Sequence, residues 1–355
     1  MGNSPQKRGV LLLNLGSPKS CAVADVRAFL REFLGDPCVL DMPAPLRWLL
    51  LYGVILRKRP AFSAEAYKRV WTPQGSPLLA TTEVLREALE AALTEKHGRD
   101  FAGAPAVRVY AGMRYGEPST AAAIAAMAHD GVTDALVLPQ YPHYAMSSYG
   151  TAVACAREAF RRLAPQIHVR VAEPFYNAPG YIAALVESAR PWLEKGSFDK
   201  LLFSCHGIPL RHLRREIPSY PDCTEEQDCC PPDAASRARD YRHQCFATME
   251  AFAAAAGLPR EKCAISFQSR LGKAVWIRPY TDATLRELPA RGVKRLLVIC
   301  PAFTADCLET LDEIRTEGRK TFMDAGGEFF EQIPCLNAHP AYVRYLAEQT
   351  EAPAA

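Results

Sequence analysis

The sequence predicts an α/β protein made of two related halves, each with a mainly parallel sheet, facing a central cleft. Three observations carry this. Short apolar runs alternate with helix-like runs along the whole chain, the pattern of βαβ units. Two distant segments echo each other, Gly131-Val-Thr-Asp-Ala-Leu-Val-Leu-Pro139 and Gly292-Val-Lys-Arg-Leu-Leu-Val-Ile-Cys-Pro301; each has a Gly-Val turn, a strand, then Pro and an aromatic, Tyr141 or Phe303. The 355 residues suit two domains at about 100–200 residues each. We place the halves at 1–175 and 176–340, with the boundary near Pro174 and Pro179, and a C-terminal helix and tail at 341–355.

The elements follow in order. Residues 9–15 are apolar and compact, a first strand, and 23–34 have helical spacing. The longest apolar run is Trp48-Leu-Leu-Leu-Tyr-Gly-Val-Ile-Leu56, set between Pro43, Pro45 and the basic Arg57-Lys58-Arg59. It is too short to span a bilayer, which takes about 20 residues. Within 43–59 it reads as core, as the lip of an apolar pocket, or as a helix resting on an anionic membrane. Strands are expected at 106–111, 134–138, 200–205, 262–267 and 294–300. Helices are expected at 119–128, 151–163, 234–256 and 307–317.

Composition narrows the function. A net charge of +3 and no basic tract with interleaved aromatics argue against nucleic acid. Residues 1–8 lack the apolar stretch of a signal peptide, so the expectation is a cytoplasmic protein, with peripheral contact at the inner membrane as the alternative. Monomer and homodimer are both compatible with the chain. Twelve cysteines are many; eight are scattered, and several end buried strands as small hydrophobes.

The chemistry centres on His206, in Lys200-Leu-Leu-Phe-Ser-Cys-His-Gly-Ile-Pro209. A doubly buried strand there ends on an imidazole, and Gly207 and Pro209 turn the chain. Ligands of open α/β sheets bind just outside the carboxyl ends of strands. An imidazole in that place can ligate a metal or move a proton, or simply cap the strand. The matching unit of the second half runs Pro301-Ala-Phe-Thr-Ala-Asp-Cys-Leu-Glu309. Asp306 is placed to cap a helix. Glu309, Glu313 and Glu317 recur every four residues, which on a helix stacks like charges along one face and costs a few tenths of a kcal/mol per pair. Such a ladder is a solvated acidic face or a string of oxygen ligands and proton acceptors. One histidine and one carboxylate hold a cation such as Fe²⁺ loosely, with positions left open, which suits delivery rather than storage.

Ser204-Cys-His-Gly-Ile-Pro209, Phe303-Thr-Ala-Asp-Cys-Leu-Glu-Thr-Leu311, Asn14-Leu-Gly-Ser-Pro18, Gly75-Ser-Pro77, Gln140-Tyr-Pro142 and Phe267-Gln-Ser-Arg-Leu-Gly272 together resemble the ferrochelatase family, in its order and spacing, from about residue 9 to residue 340. The resemblance implies two Rossmann-like domains of the class II chelatase type, and insertion of Fe²⁺, as substrate, into a porphyrin with no nucleotide. It implies His206 as proton acceptor and metal ligand, Glu309 as the facing carboxylate, and Glu313 and Glu317, with Asp306, as an acidic metal or proton path. Trp276, Ser76, Arg59, Tyr67, Tyr144 and Leu15 would meet the macrocycle or its propionates. Arg59 departs from the family pattern, since Pro60 sits one position off. Leu15 stands where the branch using coproporphyrin III carries Tyr, which favours protoporphyrin IX.

The family's short loop after the histidine is longer here, Pro218-Ser-Tyr-Pro-Asp-Cys-Thr-Glu-Glu-Gln-Asp-Cys-Cys-Pro-Pro-Asp233. Cys223, Cys229 and Cys230 lie in this insert, taken as 218–245, and Cys245 closes it. Four thiolates suit zinc or an iron–sulfur cluster. The spacing is not that of a zinc ribbon, and some bacterial relatives hold a [2Fe–2S] cluster on an internal segment, so a [2Fe–2S] cluster is expected against spare thiols or a disulfide. Two rival functions stand beside ferrochelatase: a sister chelatase placing cobalt or nickel in a sirohydrochlorin-type ring, and a non-enzymatic porphyrin or haem carrier with an iron–sulfur cluster, which would need no acidic ladder.

Overall fold

The protein is described here from a computed structural model, which describes residues 7–99, 103–221, 233–270, 272 and 274–351. The chain divides into two compact units.

The first unit takes in the chain to Tyr141, then Met146–Glu173, and returns for the stretch from Val343. Its sheet holds β1 (Arg8–Asn14), β2 (Val107–Met113), β3 (Asp134–Pro139) and β4 (His168–Val171). All pairings are parallel, in the order β2-β1-β3-β4. β1 is buried from Val10 to Asn14, as expected for a parallel strand covered on both faces. On one face Leu11, Leu13 and Val137 pack against Ile124, Met127 and Phe160 of the helices Thr120–His129 and Thr151–Leu163. Fully burying side chains of this size contributes about 1.5–3 kcal/mol each.

The second unit comprises Pro142–Ala145 and Pro174–Tyr342. Its strands are β5 (Lys200–His206), β6 (Cys263–Gln268), β7 (Arg295–Ile299) and β8 (Phe329–Gln332), in the order β6-β5-β7-β8, again all parallel. The two sheets thus share one topology, and the echoing segments supply the third strand of each list, β3 and β7. Leu202, Leu296 and Val298 pack on Ile314, Phe322 and Phe330.

Three expectations need correction. The helix expected over 234–256 is two, Ala234–Arg237 and Tyr241–Ala255, because the Asp240 carboxylate accepts the His243 N–H and restarts the helix. The segment after β7 is no ordinary α-helix. Glu309–Gly318 is a π-helix that continues as the α-helix Arg319–Asp324, and the Thr316 hydroxyl also reaches the carbonyl five residues back, on Leu311. Asp306 does not cap it: Leu308 holds the cap position. Asp306 instead clasps the loop, accepting the Thr310 hydroxyl, the Asn337 amide and, at longer range, the Cys335 N–H.

Candidate functional site

The second unit builds the site at the carboxyl ends of β5 and β6. His206 closes β5 and lies in register with Gln268 at the end of β6. Gly207 follows, and its N–H donates to the Gln268 carbonyl at 2.7 Å. A Cβ at this position would stand 2.9 Å from that carbonyl oxygen and 3.4 Å from the Trp276 ring. Glycine is therefore what lets the turn after the histidine lie this close to β6 and Trp276. Pro209 bridges to Trp276, so the expected tryptophan is brought beside the histidine motif.

The imidazole orientation is fixed. His206 Nδ1 lies 2.5 Å from the Gly207 carbonyl, which can only accept, so Nδ1 carries the hydrogen and Nε2 the lone pair. The Tyr241 hydroxyl donates to the His206 carbonyl at 2.8 Å, and Phe303 meets the imidazole edge-on, centroids 6.1 Å apart. Burial pushes the His206 pKa below the ordinary histidine value; the charge of Glu309 and the Gly207 carbonyl pull the other way. The result is a neutral ring with one basic nitrogen.

Glu309 is half-buried, whereas Glu313 and Glu317 are exposed. The ladder therefore runs from the histidine towards solvent. Because a π-helix bonds i to i+5 and so turns more widely than 3.6 residues, residues four apart stay on one side of it. The outer part borders a cavity of about 350 Å³ that also meets Ser269, Arg270, Asp282 and Thr321. There Ser269 donates to the Glu313 carboxylate, and one Arg270 nitrogen, Nη2, lies 2.7 Å from each Asp282 oxygen. Asp306 is buried and its carboxylate already accepts three hydrogen bonds.

The other expected contacts fall as follows. Tyr144 belongs to the second unit and its N–H donates to Gln244 on the Tyr241–Ala255 helix. Leu15, Arg59, Tyr67 and Ser76 belong to the first. Leu15 is half-buried just past β1; Ser76 and Tyr67 are buried and Arg59 is exposed. A hydrogen bond from Asn14 to Thr82 holds the start of the Pro77–His97 helix, which Ser76 precedes, beside the end of β1.

Cys223, Cys229 and Cys230 lie outside the described residues. Cys245 is fully buried in the Tyr241–Ala255 helix. Its sulfur pairs with the Cys205 thiol, whose pKa burial and this contact push up. Burial likewise drives the Cys300, Cys307 and Cys335 thiols up, as befits inert packed thiols. Among the described residues no group of three or more His, Cys, Asp or Glu side chains is disposed to hold a metal ion.

Sequence reasoning missed Gln268, Ser204, Thr281 and Tyr241 as site builders. Gln268 and Ser204 stand inside the recognised motifs, but their type alone gives no hint of a partner.

With this geometry in hand, the relatives are informative. The Ferrochelatase family model matches residues 7–353. A ferrochelatase of Azotobacter vinelandii is 48% identical over 345 residues, covering 97% of this chain and 98% of the relative. One of Opitutus terrae is 46% identical over 343 residues, 96% of each. Among solved structures, the sirohydrochlorin chelatase SirB from Bacillus subtilis subspecies spizizenii in complex with cobalt superposes with a TM-score of 0.52 at 12% identity, over 98% of this chain and 97% of that one, a likeness of fold. Matched along almost its whole length by the family model and at nearly half identity by curated members, the chain belongs to the ferrochelatase family.

Proposed function

We propose that this chain inserts Fe²⁺ into protoporphyrin IX to form protohaem, the last step of a haem-making sequence. The observation that carries this reading is the His206 imidazole at the carboxyl end of β5, held in one tautomer by the Gly207 carbonyl. Metallation replaces two pyrrole N–H protons by one Fe²⁺. The single lone pair of His206 Nε2 takes the two pyrrole protons one at a time, each passing on to the carboxylates, and in its unprotonated form is the nitrogen ligand for the incoming ion. Glu309 supplies a hard oxygen and stabilises the imidazolium that forms. Glu313 and Glu317 lie towards solvent and carry protons out or Fe²⁺ in; loose hydrogen-bonded carboxylates suit such traffic. Asp306 serves as the clasp that sets the start of the acidic helix. Trp276 packs beside the histidine turn as a wall for a flat apolar ring, while Ser76, Arg59, Tyr67 and Tyr144 are assigned to its edge and propionates. The half-buried aliphatic Leu15 favours the less polar protoporphyrin IX over coproporphyrin III.

The [2Fe–2S] cluster expected on Cys223, Cys229, Cys230 and Cys245 is given no part in the metallation chemistry. The exposed apolar helix with its basic end is assigned to peripheral contact with an anionic membrane, where an apolar substrate is most concentrated.

The test is metallation itself. Purified protein given Fe²⁺ without oxygen should shift the Soret band of protoporphyrin IX faster than that of coproporphyrin III. His206→Ala should abolish insertion, by at least about 10²-fold as expected for loss of a general base, while porphyrin still quenches tryptophan fluorescence. A mutant near the wild-type rate defeats the assignment, and a preference for coproporphyrin III defeats the substrate choice.

A further inference from the structure

Gln268 touches both halves of the proposed chemistry. Its backbone carbonyl accepts the Gly207 N–H at 2.7 Å, and the Gly207 carbonyl in turn fixes His206 Nδ1. Its side-chain amide reaches the other way, Nε2 donating to the main-chain carbonyl of Glu309 at 2.9 Å. A carbonyl only accepts, so the amide can face it in one orientation alone, nitrogen outward. The oxygen then faces Ser204, whose hydroxyl donates to Oε1 at 2.7 Å.

The hydroxyls behind it have a single consistent direction. Ser204 Oγ lies 3.1 Å from Thr281 Oγ1, and that oxygen lies 2.8 Å from Ser266 Oγ. Ser204 has given its one hydrogen to Gln268, so Thr281 donates to Ser204. Thr281 has then spent its own, so Ser266 donates to Thr281. The chain Ser266→Thr281→Ser204→Gln268→Glu309 is thus one line of donors, all pointing at the acidic helix. Ser204 and Ser266 are fully buried, and Gln268 and Thr281 are each 4% exposed. Aligned hydrogen bonds in a buried setting polarise one another and hold a unique arrangement. The flanking buried positions Leu202, Phe203, Ile265 and Phe267 are apolar, so packing alone does not account for three hydroxyls and an amide in line.

We propose that Gln268 is a positioning residue that sets the spacing of Glu309 from His206, tying the histidine turn through its backbone and the first turn of the acidic helix through its side chain. The proposal rests on the assignment of His206 and Glu309 to metal insertion. Gln268 itself touches no substrate; it acts through the two residues it joins.

Three variants of the full chain test it, each compared with wild type for Fe²⁺ insertion and for the stoichiometry of porphyrin binding, which counts the folded fraction. Gln268→Met keeps the volume and removes the side-chain hydrogen bonds to Glu309, Ser204 and, at longer range, the Cys300 thiol. Per folded molecule, its kcat should fall by about 10²-fold, the usual consequence of a misplacement near 1 Å, with KM for porphyrin unchanged. Gln268→Glu supplies the signature that mere loss of packing would not. Burial raises the pKa of such a carboxyl. Ionised, it sets an anion against the Glu309 carbonyl; protonated, it donates there as the amide does. Its rate relative to wild type should therefore climb as pH falls from 8 to 6, while the Gln268→Met ratio stays flat. His206→Ala is the third arm. If it inserts iron at the wild-type rate, the reading of the site falls. If it is inactive while Gln268→Met matches wild type per folded molecule, the clamp is overturned and the site reading stands. Should Gln268→Met fail to fold, the Gln268→Glu pH ratio decides: a flat ratio overturns the clamp.

Discussion

At the scale of single residues, the proposed chemistry depends on a histidine kept neutral. Burial lowers the His206 pKa and Glu309 offsets part of that shift. A group with a lowered pKa stays deprotonated further into acid, so the base form of His206 should persist below pH 6.5, the ordinary histidine value. The acid limb of kcat/KM for insertion should accordingly lie below that value. Removing the offsetting charge lowers the pKa further, so Glu309→Gln should move the acid limb of its residual activity to lower pH. A limb that moves upward, or stays in place, contradicts the coupling. The place of His206 at the end of β5 was legible in the sequence because an apolar run delivering an imidazole to Gly and Pro can be recognised locally. Gln268 was not. It becomes meaningful only through its register with His206 and its reach to a carbonyl 41 positions along, and neither relation is written in residue type.

At the scale of elements, the sequence located strands well because parallel strands buried on both faces are continuous apolar runs. It misread the acidic helix, since an every-fourth-residue ladder fits an α-helix and a wider one alike. It also passed over a polar cluster that anchors the first unit. The Asp36 carboxylate accepts from Arg114 at 2.5 Å, Tyr115 at 2.8 Å and Thr151 at 2.6 Å, and from the Cys38 N–H at 2.7 Å. Burial alone would raise its pKa; these hydrogen bonds and the Arg114 charge outweigh burial and hold it below the ordinary carboxylate value. A depressed carboxyl stabilises the fold above the unfolded pKa, near 3.9, and that contribution is lost as pH falls towards the folded value. Asp36→Asn should therefore cost roughly 3 kcal/mol at pH 7, as expected when one partner of a buried pair is removed. The gap in urea midpoint between mutant and wild type should narrow below pH 4. A constant gap across that range would show that charge has no part in the cluster.

At the scale of the molecule, the surface carries one feature that folding leaves unexplained. In the first unit the helix Ala44–Leu50, the π turn Leu51–Ile55 and the helix Leu56–Val70 expose Leu46, Leu49, Tyr52 and Val54, with Trp48 63% and Phe62 76% exposed. Arg57, Lys58 and Arg59 are exposed in the same stretch. Apolar side chains left in water beside basic ones match an anionic interface on both counts. No described helix is long and apolar enough to cross a membrane, so any contact made here lies in the plane of the surface. Sedimentation with vesicles should show binding to phosphatidylglycerol and little to phosphatidylcholine. Each basic residue near such a surface contributes about 1 kcal/mol, roughly fivefold in affinity. Arg57→Ala with Lys58→Ala should thus weaken binding by about 25-fold and flatten its salt dependence. Trp48→Ser with Leu49→Ser should weaken binding to the same vesicles at every salt concentration, because their contribution is apolar burial and unscreened. Equal binding to neutral and anionic vesicles, or none to either, would return this face to the solvent.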